Sequence, residues 1–192
     1  SMKEDLKKIG FDPEKLAVWT RGANHGAFKN PKRINLQYKR PIWLYVGRVS
    51  IEKNIRAFLK LDLEGTKIVV GKGPDLNELK QEFPNVIFKG EKTNGELASY
   101  FASADVFVMP SLTDTFGIVI IEGLQCGTPV AAYPVTGPKD ILEGTNGGVL
   151  NKDLKVAALE ALKLNRDDCK EIAKKYTWEN CAKIFLANTA PN

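Results

Sequence analysis

Asp114-Thr115-Phe116-Gly117-Ile118-Val119-Ile120-Ile121-Glu122-Gly123-Leu124-Gln125-Cys126-Gly127-Thr128-Pro129 lies between two apolar runs, 106–109 and 130–132, that read as strands. Its centre, 118–121, is β-branched at every position, so propensity alone makes it a third strand. Spacing argues otherwise, because a strand here would sit between two others with no crossover length. Thr115 as an N-cap, with Gly127 and Pro129 as stop signals, fits a buried helix over 116–126. Asp114 then stands just before the helix and Glu122 about two turns in. The amides of Phe116, Gly117 and Ile118 become free donors at the positive end of the helix.

Outward from this segment, short β-rich runs alternate with amphipathic ones. Strands are expected at 42–46, 67–70, 86–88, 106–109, 130–132 and 148–150. Helices are expected at 52–61, 75–83, 95–103, 116–126 and 138–142, then at 153–164, 166–176 and 178–186. Several strands are continuous apolar runs, as in a parallel sheet covered on both faces. The alternation predicts an α/β fold, a doubly wound parallel sheet with helices on both faces. Residues 1–40 read differently, with a charged and at most helical start and a short strand at 18–22 leading into a loop. They are expected to be a linker and the tail of a preceding domain, with 41–192 forming the domain proper.

The length of 192 residues suits one domain with a real core, and 43% hydrophobic with 27% charged residues is a globular composition. No apolar run approaches the roughly 20 residues of a membrane span, and the opening residues do not read as a signal peptide. Ser1-Met2 reads as a cloning scar. Cys126, Cys169 and Cys181 make an odd count without metal-ligand spacing, which fits reduced thiols in a cytoplasm. The net charge of +5 is uneven: residues 1–60 carry 14 Lys or Arg against five acids, the remainder 14 against 18. A basic first third suits nucleic acid, an anionic membrane surface or phosphorylated small molecules. Nucleic acid is disfavoured, since the basic residues are scattered and no nucleic-acid-binding signature accompanies them.

A carboxylate at Glu122, set in an apolar run, needs a polar partner if it is buried. Sugar or ribose hydroxyls would serve, and so would backbone donors or an arginine. After the first strand, Val46-Gly47-Arg48-Val49-Ser50-Ile51-Glu52-Lys53-Asn54 leads into a helix. Gly47 permits close backbone approach, and Arg48 with Lys53 makes an anion site suited to a diphosphate, or else a solvated turn. No P-loop pattern is present. Gly71-Lys72-Gly73-Pro74 begins like a dinucleotide fingerprint, but Leu76 holds the third glycine position, so it reads as a plain turn. His25, the sole histidine, reads as a loop residue, and no metal cluster is apparent.

Taken in order, these segments resemble glycosyltransferase family 4, a group 1 glycosyltransferase family, in its C-terminal, donor-binding domain. The matching signposts are Trp19-Thr20-Arg21-Gly22 with Phe28 and Pro31, Val46-Gly47-Arg48 with Glu52-Lys53-Asn54, Val70-Gly71-Lys72-Gly73-Pro74 and Val86-Ile87-Phe88-Lys89-Gly90. The block from Ala104-Asp105-Val106 through Gly127-Thr128-Pro129-Val130-Ala131-Ala132 is the most specific, and Thr177-Trp178-Glu179 closes the set. The resemblance implies two Rossmann-like domains with a cleft between them, the GT-B architecture. It implies sugar transfer from a nucleotide-diphosphate donor with retention, without a metal or other cofactor.

Carried over residue by residue, Arg48 and Lys53 would hold the diphosphate and Asp114 the donor-sugar hydroxyls, these three being the catalytic set. Thr115, Phe116, Gly117 and Ile118 would contact sugar and phosphate, and Glu122 would accept from the ribose. Gly47 would admit the backbone to the diphosphate, while Gly90 and Lys92 would lie beside the base. Two departures stand out. The family pair is commonly E-x7-E, whereas Asp114 is one methylene shorter, and Asn24 stands where Asp is usual. The partners implied are a nucleotide-diphosphate sugar and the absent N-terminal acceptor-binding domain, with peripheral contact to an anionic membrane at its inner face. The other readings are an epimerase or phosphorylase of related fold, or a non-catalytic nucleotide-binding module.

Overall fold

The computed structural model describes residues 2–23 and 25–189. Ser1, Asn24 and the side chain of His25, all singled out in the sequence, lie outside the described residues. In chain order the elements are α1 (Met2–Lys8), α2 (His25–Phe28), β1 (Ile42–Val46), α3 (Ile55–Leu59), β2 (Thr66–Val70), α4 (Leu76–Glu82), β3 (Ile87–Phe88), α5 (Asn94–Ser103) and β4 (Val106–Met109). They continue with α6 (Ile118–Gln125), β5 (Val130–Ala132), α7 (Thr136–Leu142), β6 (Gly148–Leu150), α8 (Leu154–Ala161), α9 (Arg166–Ala173) and α10 (Trp178–Thr189).

All six strands pair in parallel in the order β3-β2-β1-β4-β5-β6. The strands are apolar at nearly every position because both faces are buried, and successive side chains feed opposite cores. Trp43, Tyr45, Val69 and Val108 pack with α3, α4 and α8 on one side. Ile42, Leu44, Phe107 and Met109 pack with α5, α6 and α9 on the other. Each fully buried large side chain, such as Trp43 or Phe107, contributes about 2–3 kcal/mol to the fold. The chain winds outward from β1 to β3, then returns to β4 on the far side of β1. The C-terminal ends of β1 and β4 therefore form a topological switch point, where loops diverge and leave a crevice.

The 118–121 run is helical, as the crossover argument requires, but its start differs from expectation. Gly117, with φ 81°, is the N-cap in place of Thr115, and no side chain caps the helix. A left-handed residue turns the chain sharply into the first turn, and only glycine adopts it without strain. The helix expected at 52–61 is divided. A 3-10 turn (Ile51–Lys53) ends at Asn54, whose φ is 52°, before α3 begins. The Asn54 Nδ2 group donates to the Pro110 carbonyl at 3.0 Å and fixes this break against the loop after β4.

The strand expected at 18–22 is irregular chain. Its polar groups are met by α10. Trp19 Nε1 donates to the Cys181 carbonyl at 3.2 Å, and Cys181 Sγ donates to the Thr20 carbonyl at 3.1 Å. No helix among the described residues is long and apolar enough to cross a membrane.

Candidate donor-binding site

Two clefts meet over the C-terminal strand ends and share Val46 and Gly47 as a common wall. The wider one has a volume of about 660 Å³ and runs from Gly47 and Arg48 past Gly71–Pro74 to Glu91, Lys92 and Leu97. The narrower one, about 80 Å³, lies at the switch point between β1 and β4. Tyr45, Lys53, Pro110, Ser111, Asp114 and Val119 line it.

The loops at the wide cleft are locked to one another through glycine. A Cβ on Gly71 would stand 1.9 Å from the Gly47 carbonyl oxygen, and one on Gly73 would stand 2.1 Å from that of Val49. Hydrogen bonds tie the same loops together: Gly47 N to Val70 O at 3.1 Å and Val49 N to Lys72 O at 2.9 Å. The Gly71–Pro74 turn, which the failed fingerprint makes unremarkable in sequence, is thus a wall of the cleft. Its signal lies in the closeness of two backbones, which no single-segment motif records.

In the narrow chamber Lys53 Nζ and Asp114 Oδ1 stand 2.9 Å apart, with both side chains mostly buried. Lys53 comes from the 3-10 turn after β1 and Asp114 from the loop after β4, so the fold brings them together across 61 positions. The Tyr45 hydroxyl donates to the Arg48 carbonyl at 2.6 Å. Burial first, and the Asp114 charge second, push its pKa well above the usual tyrosine value, so it stays a neutral donor. The Ser111 hydroxyl is buried with no hydrogen-bond partner among the described residues. An orphaned hydroxyl costs stability unless something polar meets it, and it stands beside Asp114 in the same chamber. Ser111 lies within the most specific block of the resemblance, but carries no assigned role there. Only its burial without a partner singles it out.

Arg48 is mostly exposed at the junction of the clefts and reaches Glu52 at 3.6 Å. Lys92 lines the wide cleft and pairs with Glu96 at 3.3 Å. Gly90, with φ 68°, accepts a 2.8 Å bond from Gly71 N at the cleft edge. Gly117 and Ile118 open α6, and the amides of Ile118 and Val119 belong to the first turn, beyond reach of the helix's own carbonyls. The side chains of Thr115 and Phe116 line a separate cavity of about 290 Å³ beneath the N-terminal segment. The Phe116 ring meets Tyr176 edge-on at 6.4 Å.

Glu122 is half-buried on α6, three positions after Val119, and lines neither cleft. Burial raises its pKa to about 7. Its folded-state value exceeds the unfolded one, so its proton stabilises the fold fully below about pH 4.5. That stability is lost as pH rises through about 7. Glu122→Gln is expected to remove this slope and to gain on wild type by about 1–2 kcal/mol at pH 8, given the partial exposure. Melting curves from pH 5 to 8 test it, and parallel wild-type and variant curves would contradict it. No group of three or more His, Cys, Asp or Glu placed to hold a metal occurs among the described residues.

The glycosyl transferases group 1 profile matches residues 27–175. The sulfoquinovosyl transferase SQD2 of Arabidopsis thaliana is 31% identical over 191 residues, covering 85% of this chain and 37% of that protein. The GDP-mannose-dependent alpha-mannosyltransferase of Corynebacterium glutamicum is 31% identical over 209 residues, covering 97% and 50%. HepE of Anabaena, solved in complex with UDP, superposes with a TM-score of 0.72 at 18% identity, over 97% of this chain and 60% of that one. The chain therefore spans about half or less of the curated relatives' length. With its six-stranded parallel sheet covered on both faces, this chain belongs to the glycosyl transferases group 1 family, of GT-B fold.

Proposed function

We propose that this chain is the donor-binding half of a retaining glycosyltransferase of family 4, transferring sugar from a nucleotide-diphosphate donor to an acceptor hydroxyl. The observation that carries the reading is the Lys53–Asp114 pair, 2.9 Å apart in a small chamber that shares the Gly47 wall with a cleft of nucleotide size. The sugar sits over the mouth of the chamber and directs hydroxyls into it toward Asp114 and Ser111. The diphosphate crosses Gly47 between Arg48 and Lys53, aided by the first-turn amides of α6. Ribose hydroxyls that reach past Val119, which lines the chamber one helical turn before Glu122, donate to that carboxylate and offset the cost of its burial, and the base lies toward 90–92.

In transfer, the bond from the anomeric carbon to the β-phosphate oxygen breaks and its electron pair stays on that oxygen. Arg48 and Lys53 stabilise this charge, with no metal or other cofactor called upon. The acceptor hydroxyl attacks from the same face and passes its proton to the departing phosphate, so configuration is retained. Residues 1–40 form the connection to an N-terminal, acceptor-binding domain. Relatives support this reading: one is a transferase dependent on GDP-mannose, and one structure is solved with UDP. The two nucleotides differ in base, so the relatives leave the base of this chain's donor open. The experiment is transfer by the full-length protein from an α-linked nucleotide sugar, with the product's anomeric configuration read by NMR. An α product is expected, and a β product would overturn the retaining mechanism.

A further inference from the structure

The wide cleft carries an ion pair that the sugar and diphosphate contacts leave unused. Lys72 Nζ and Glu91 Oε2 stand 2.5 Å apart, both lining the cleft and both more than half exposed. Backbone pairing sets them side by side. β2 and β3 run in register, with Val69 opposite Phe88, and the Gly71 N to Gly90 O bond of 2.8 Å carries that pairing past the strand ends. The next residues on the two loops are Lys72 and Glu91. The backbone of this loop is held in place by the close approach of Gly71 to Gly47, so the two solvated side chains start from neighbouring, well-placed positions, one a donor and one an acceptor.

We propose that Lys72 and Glu91 read the edge of the nucleotide base and select guanine, so that the donor is a GDP-sugar; this rests on the donor-site reading above. A diphosphate held at Gly47 and Arg48 sends the base outward along the cleft toward Glu91, and a volume of about 660 Å³ admits a purine. Guanine presents one acceptor, O6, next to two adjacent donors, N1–H and the 2-amino group. The Lys72 ammonium donates to O6 and the Glu91 carboxylate accepts from both donors, giving charge-assisted bonds on each side. Uracil offers a single N–H between two carbonyls, which turns an acceptor toward the carboxylate. Adenine and cytosine place a ring lone pair beside their amino group and meet the same repulsion. Opening the Lys72–Glu91 contact to admit the base costs little, because both groups are solvated.

The test is calorimetric titration of this chain with GDP, IDP, UDP and ADP, IDP being the purine that lacks the 2-amino group. GDP is expected to bind about tenfold or more tightly than UDP or ADP, with IDP between, as for hydrogen bonds to a charged group. Glu91→Ala, at an exposed position, is expected to bring GDP and IDP within about threefold while UDP binding tightens, because the carboxylate that repels its carbonyl is gone. GDP no tighter than UDP, or a GDP-to-IDP ratio untouched by Glu91→Ala, overturns guanine selection and leaves the donor site standing. Failure of every nucleotide to bind overturns the donor site and guanine selection with it.

Discussion

Lys53→Ala in the full-length enzyme is expected to lower kcat by about 100-fold, near 3 kcal/mol of lost transition-state stabilisation. Charge on the leaving diphosphate grows as the glycosidic bond breaks, so a cation fixed beside it acts more strongly in the transition state than on bound donor. Lys53 is so fixed: Asp114 holds its ammonium at 2.9 Å within a mostly buried chamber. The loss should fall on kcat more than on KM. The same substitution strips Asp114 of its counter-ion, but solvent reaches both groups, so the cost to folding is only about 1 kcal/mol. Steady-state kinetics beside a melting curve separates the two. A near-normal kcat would remove Lys53 from the mechanism, and a collapse of the melt would make its role structural.

Gly71→Ala is expected to destabilise the domain by about 3 kcal/mol, a fall in Tm of about 6–12 °C at this chain length. The position combines a φ of 149° with a Cβ that would sit 1.9 Å from the Gly47 carbonyl oxygen. Neither backbone can yield alone, because Gly47 N is bonded to Val70 O and Gly71 N to Gly90 O. The loops must part, and the wall of the wide cleft moves with them, so nucleotide affinity should fall as well. Thermal melting with a nucleotide titration checks this, and a Tm within about 2 °C of wild type would show that the loops accommodate the methyl group.

How much of this was legible in the sequence depended on whether the cause was local. The six strands were, because burial on both faces leaves nearly unbroken apolar runs such as Ile42–Val46 and Val106–Met109. So was the helical state of 118–121, which connection length decides against propensity. The exact start of α6 was not, since Thr115 and Gly117 both offer plausible caps and only the backbone turn at Gly117 chooses between them. The break at Asn54 was hidden for the same reason: its cause is the Pro110 carbonyl, 56 positions away.

At the site, Arg48, Lys53 and Asp114 carried charge at telling positions in the sequence, and the fold brings Lys53 and Asp114 into contact. Gly71–Pro74 and Ser111 fell within the resemblance's signposts but without an assigned role, and the pairing of Lys72 with Glu91 carried no sequence signal. Their roles arise from backbone proximity, a missing hydrogen-bond partner and a cross-loop register, all of which exist only once the sheet is formed.

Donor binding requires the strand-end clefts to hold a nucleoside diphosphate through Arg48 and Lys53. Calorimetric titration of this chain with UDP, GDP and ADP, beside an Arg48→Ala, Lys53→Ala double variant that still melts cooperatively, tests it most directly. Saturable one-to-one binding of a nucleoside diphosphate, abolished in the double variant, is the predicted result. Binding that survives the double substitution, or no binding by the wild-type chain, would contradict it.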